Sequence, residues 1–151
     1  MGKKTVYELN TFDMIINSWE CNYSFHVEEK KYAYKDYDYD GYDEMLFIDI
    51  KGKPIEEVKS LKIDSETVIE LLVYFSSNLG SNDRVGMAEK NKHYNILQCV
   101  LCLPLKSREY FISLLSANKF KRVNISTEKM KYNKALIRSF NIDSKINTEE
   151  D

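Results

Sequence analysis

The sequence predicts one α+β domain, mainly antiparallel β-sheet, with one clear helix near residues 107–117 and room for a second within the first 20 residues. Three observations carry that prediction. Alternating hydrophobicity dominates the chain, a single stretch switches to helical spacing, and 151 residues is the usual size of one hydrophobic core. No repeat or Pro/Ser/Gly linker divides residues 1–144, and residues 145–151 read as a polar, flexible tail.

The elements follow in order. Trp19, Cys21, Tyr23, Phe25 and Val27 alternate with Glu20, Asn22, Ser24, His26 and Glu28, the pattern of a half-buried strand. Residues 11–18 ahead of it are ambiguous between helix and strand. MLFIDI at 45–50 reads as a second strand, punctuated by Gly52 and Pro54. LKI at 61–63 and VIELLVYF at 68–75 add two more, joined through Asp64 and Ser65. The second of these is almost continuously apolar, and its β-branched and aromatic residues decide for strand over helix. SSNLGSNDRVG at 76–86 is the most loop-like stretch. Residues 84–103 form a hairpin whose arms flank 89–92, and Pro104 ends the second arm because it cannot donate to a ladder.

Ser107 then offers a helix N-cap, Tyr110, Phe111, Leu114 and Leu115 share one helical face, and Asn118 is placed to stop the helix. FKRVNIST and ALIRSFNI, around a lysine-rich turn, make a final hairpin.

Composition excludes several classes. A mean hydropathy of -0.48 and a longest apolar run of only residues 68–75 give no membrane-spanning segment. The start MGKKTVYELN has no apolar stretch behind its lysines, so a cytoplasmic location is expected. Three cysteines, an odd number, point to reduced thiols. Cys99 and Cys102 lie three apart in a strand pattern and so face opposite sides of the sheet, which suits core packing rather than a shared metal or disulfide. No nucleophile elbow, zinc-protease, P-loop or dinucleotide motif occurs, so no cofactor and no catalysis are expected. A hydrolase using carboxylates is an alternative, and a pocket that gathers His26 or His93 with acidic side chains would favour it.

The net charge of -2 hides an asymmetry. Residues 28–49 hold eight acidic and three basic side chains, whereas 119–145 hold eight basic and two acidic. Within the acidic part, KKYAYKDYDYDGYDE at 30–44 interleaves tyrosines with carboxylates. Asp36, Asp38, Asp40 and Gly41 open like a calcium loop, but its twelfth position is Phe47 rather than a bidentate Glu and its eighth is Asp43, so no metal is expected.

The better reading is a binding surface. Tyr37, Tyr39 and Tyr42 would anchor a partner through stiff aromatic area, while Asp38, Asp40, Asp43 and Glu44 would steer a cationic one. The expected function is therefore a non-catalytic protein-binding module, in its sharpest form an immunity or antitoxin-like inhibitor of a basic protein such as a toxin. An alternative assigns nucleic acid to Lys119, Lys121, Arg122, Lys129, Lys131 and Lys134, interleaved with Phe120, Tyr132 and Phe140. The near-neutral remainder and only four arginines weigh against it. Opposite charge at the two ends also permits a head-to-tail homo-oligomer.

Overall fold

A computed structural model describes residues 9–27, 42–76 and 85–144. Seven strands run in chain order as β1 (Asn10–Val27), β2 (Tyr42–Pro54), β3 (Val68–Ser76), β4 (Gly86–Lys90), β5 (Ile96–Pro104), β6 (Arg122–Thr127) and β7 (Lys134–Asp143). They close into a barrel in the order β1-β2-β3-β5-β4-β7-β6. Among the described residues the one α-helix is α1 (Arg108–Ser116), between β5 and β6. All neighbours are antiparallel except β3 and β5, which run parallel from Val68↔Ile96 to Ser76↔Pro104.

The barrel overturns the α+β expectation. An open sheet under a helix would leave two edges of unpaired backbone, and closure removes them. The closing pairs come from the segment with the ambiguous pattern, since β1 pairs with β2 and also with β6, from Asn10↔Thr127 to Ile15↔Arg122. No N-terminal helix forms at residues 11–18. Phe12, Met14 and Ile16 point inward, and then the register slips between Ile16 and Ser18, so the inward phase resumes at Trp19. Asn17 is thus the extra residue of a β-bulge, and one such residue is enough to break the alternation that identifies a strand. Opposite the bulge, a Cβ on Gly52 would collide with the Ile15 carbonyl oxygen, so only glycine lets the two backbones approach.

Both mouths of the barrel are closed by apolar plugs. At one, which we call the helix end, α1 inserts buried Phe111 and Leu115. The Phe111 ring lies 5.9, 5.4 and 6.3 Å from the rings of Phe75, Phe120 and Phe140. At the other, the turn end, the connection after β2 folds in Leu61 and Ile63, which are 0% and 1% exposed. Residues 61–63 are therefore not a strand. Lys59–Leu61 is a single 3-10 turn closed by a left-handed Lys62, and Val58 bridges Ile63. Between the plugs, Met14, Ile48, Ile50, Ile69, Leu71, Leu97, Leu101, Ile125 and Ile137 fill the interior with no exposure, each worth about 1.5–3 kcal/mol of apolar burial.

The helix is bounded much as its sequence suggests. Ser107 occupies the N-cap, but its hydroxyl donates back to the Pro104 carbonyl at 2.7 Å instead of capping the helix. Asn118 takes φ 58°, and the N–H groups of Asn118 and Lys119 return to the carbonyls of Leu115 and Leu114 at 3.0 and 2.9 Å, the paired bonds of a Schellman stop. No helix among the described residues is long and apolar enough to cross a membrane.

Candidate functional site

The longest strand pair makes an arm. β1 and β2 stay in register from Ser18↔Lys51 out to Val27↔Tyr42, but β3 leaves β2 at Phe47↔Tyr74. The pairs from Tyr23↔Leu46 outward therefore overhang the barrel by about 15 Å at the helix end. Opposed residues of an antiparallel pair share a face, so Cys21 and Tyr23 lie on the side of Ile48 and Leu46, continuous with the interior. The sequence phase is right and the expected burial is not. Cys21 is exposed, and Tyr23 and Phe25 are 59% and 53% exposed, because neither β3 nor β6 extends along the overhang. Past Ile16, whose N–H donates to the Lys121 carbonyl at 2.9 Å, no described strand pairs with the outer edge of β1.

The acidic segment joins the two strands at the tip of this arm. Asp36, Tyr37, Asp38, Tyr39 and Asp40 lie outside the described residues, while the backbones of Tyr42, Asp43 and Glu44 pair with Val27, His26 and Phe25.

The six basic candidates do not form one stripe. Lys119 is exposed beside α1 at the helix end, and Lys121 donates its N–H to the Asp143 carbonyl at 2.8 Å. Arg122 is committed to the fold, with Nη2 at 3.2 Å from the Asp143 carboxylate, Nε at 3.8 Å from that of Asp13, and its side chain only 14% exposed. Lys129, Lys131 and Lys134 sit exposed at the far end of the same hairpin, about 17–20 Å away. A hairpin read as a line of sequence hides that separation.

At the turn end a polar network ties three connections together. The Asp64 carboxylate accepts from Asn95 Nδ2 and the Glu66 N–H, both at 2.8 Å, and the Asn95 amide followed by the Glu66 N–H holds its pKa below the ordinary value. Thr67, wholly buried, donates to Asn95 Oδ1 at 2.8 Å and accepts the Asp64 N–H at 2.9 Å. Lys90 Nζ donates to the Lys62 carbonyl and to Asn95 Oδ1, each at 2.8 Å, and Lys62 Nζ donates to Asn133 Oδ1 in the last hairpin turn. Charge-assisted bonds of this kind hold loops in one geometry.

Beside this network lies an open recess of about 360 Å³, lined by Glu70, Glu89, Lys90, Lys92, His93 and Gln98 among others. It gathers His93 with the carboxylates of Glu70 and Glu89, a combination that favours the hydrolase alternative. Among the described residues no hydrogen bond joins the imidazole to either carboxylate, and the backbone N–H of His93 donates to Asn91 Oδ1 at 2.8 Å. Among the described residues no group of His, Cys, Asp and Glu is disposed to hold a metal ion. Cys99 is buried and Cys102 half-buried on the opposite face, and burial pushes the Cys99 thiol pKa up. The recess and the overhang were both invisible in the sequence, since each depends on which strands become neighbours. No family model, curated protein or solved structure matches the chain.

Proposed function

We propose that the protein is a non-catalytic protein-binding module whose β1–β2 arm engages a basic partner, as an immunity or antitoxin-like inhibitor would. The observation that carries this reading is the overhang. Its face carries exposed Tyr23 and Phe25, its outer edge from Ser18 onward has no described strand partner, and its tip leads into a segment of net negative charge. Exposed aromatic area supplies contact energy, a free strand edge supplies backbone hydrogen bonds, and carboxylates supply long-range attraction for a cationic surface.

The test uses a tagged full-length chain to capture its partner from the native host, followed by kinetics on the purified pair. Replacing Asp38, Asp40, Asp43 and Glu44 together by Asn or Gln is expected to slow association by about tenfold or more at low salt and to flatten its salt dependence. Substituting Tyr23 and Phe25 by Ala is expected to speed dissociation instead, with association little changed. An acidic partner, or unaltered kinetics in both variants, would sink the proposal.

A further inference from the structure

Two neighbouring turns at the turn end present features that the arm does not explain. Tyr132 is 97% exposed and Tyr94 is 70% exposed. Tyr132 and Asn133 hold left-handed φ values of 52° and 64°, a region in which a bulky residue is rare. The turn is nonetheless closed by backbone hydrogen bonds. Lys131 and Lys134 exchange backbone hydrogen bonds at 2.8 and 2.9 Å, and the Lys90 N–H donates to the Asn133 carbonyl at 2.8 Å. Tyr94 is held by the Asn91 side chain, whose Oδ1 accepts the N–H groups of His93 and Tyr94 at 2.8 and 3.0 Å. Because β4 pairs with β7, the two turns stand side by side with centres about 10 Å apart.

Lys92, Lys129, Lys131 and Lys134 are exposed around these rings, and none forms an ion pair with a described residue. The recess opens next to them. Its acidic floor belongs to one cross-strand row, in which Lys51 is paired with Glu70, Glu70 with Gln98, Gln98 with Glu89, and Glu89 with Lys134. Carboxylates are out of place on a surface meant for phosphate alone. They suit a ligand that carries an anion at one end and hydrogen-bond donors at the other.

We propose that the turn end binds single-stranded nucleic acid, with bases stacked on Tyr94 and Tyr132 and phosphates on Lys92, Lys129, Lys131 and Lys134. The exocyclic amino group of one base enters the recess and donates to Glu70, Gln98 or Glu89. The site lies at the opposite mouth of the barrel from the arm, so its failure would leave the protein-partner reading untouched.

Fluorescence anisotropy of the full-length chain with labelled oligo(dC), oligo(dA) and oligo(dT) of about fifteen nucleotides tests it. Binding is expected at about 50 mM salt, with a slope of log affinity against log salt near about -3 for four neutralised phosphates. Reversing the charge of Lys129, Lys131 and Lys134 is expected to flatten that slope by about 2. Tyr132→Asn is expected to weaken binding about tenfold or more while leaving thermal stability equal or higher, because asparagine accepts the left-handed geometry. Replacing Glu70 and Glu89 by Ala is expected to abolish a preference for oligo(dC) and oligo(dA) over oligo(dT), whose base lacks the amino group. Absence of binding at low salt would overturn the proposal. So would equal binding of heparin or phosphatidylserine vesicles together with an unchanged affinity in Tyr132→Asn, since that pattern marks simple attraction to polyanions.

Discussion

Asp64 shows how one residue organises an end of the barrel. Its carboxylate takes donors from two separate connections, and the pKa is lowered from the ordinary carboxylate value chiefly by the Asn95 amide and then by the Glu66 N–H. A group whose folded pKa is depressed contributes stability above its unfolded pKa and loses that contribution as pH falls through the folded value. Thermal unfolding of Asp64→Asn should therefore show a lower melting temperature than the parent near neutrality, with the gap closing below about pH 4. A gap that stayed constant through acid would mean that the carboxylate charge plays no part. Asn95, which makes the opposing bonds, carries no local signal in NKHYN that separates it from an ordinary turn residue.

At the scale of the element, helix α1 is a stopper rather than a layer. Its nine residues are too few to cover a sheet face, but they place Phe111 against three aromatic rings at one mouth. Phe111→Ala is expected to cost about 3–5 kcal/mol in urea-monitored unfolding, the range for emptying a buried aromatic site. Exposed Tyr110 on the same helix should cost less than about 0.5 kcal/mol. The position and C-terminal stop of α1 were legible in the sequence, because the spacing of Phe111 and Leu115 and the left-handed tolerance of Asn118 are local properties, whereas Tyr110, read onto the same face, lies 72% exposed. The strand β1 was legible only from Trp19 onward. Ahead of it the bulge at Asn17 interrupts the period on which strand recognition depends, and the residues judged ambiguous became the ones that close the barrel.

For the whole molecule, closure makes the interior a single cooperative space. Cys99 sits at its centre on β5, between Leu71 of β3 and Ala88 of β4, all without exposure. Native-state alkylation followed by mass mapping should modify exposed Cys21 first and half-buried Cys102 next, with Cys99 reacting only at the rate of global opening. Labelling of Cys99 as fast as Cys102 would show that the parallel β3–β5 seam opens on its own. The sequence alone determined most of the strands, the helix, the inward phase of β1 from Trp19 onward and the opposed charge of two segments, since these depend on residues close together in the chain. Tertiary structure decided the barrel itself, the overhang on which Tyr23 and Phe25 are exposed, the division of the basic hairpin between two ends, and the placing of the Tyr94 and Tyr132 turns side by side. Those follow from pairings as remote as Asn10 with Thr127, and hydrophobic period says which face a residue takes without saying which strand will lie beside it.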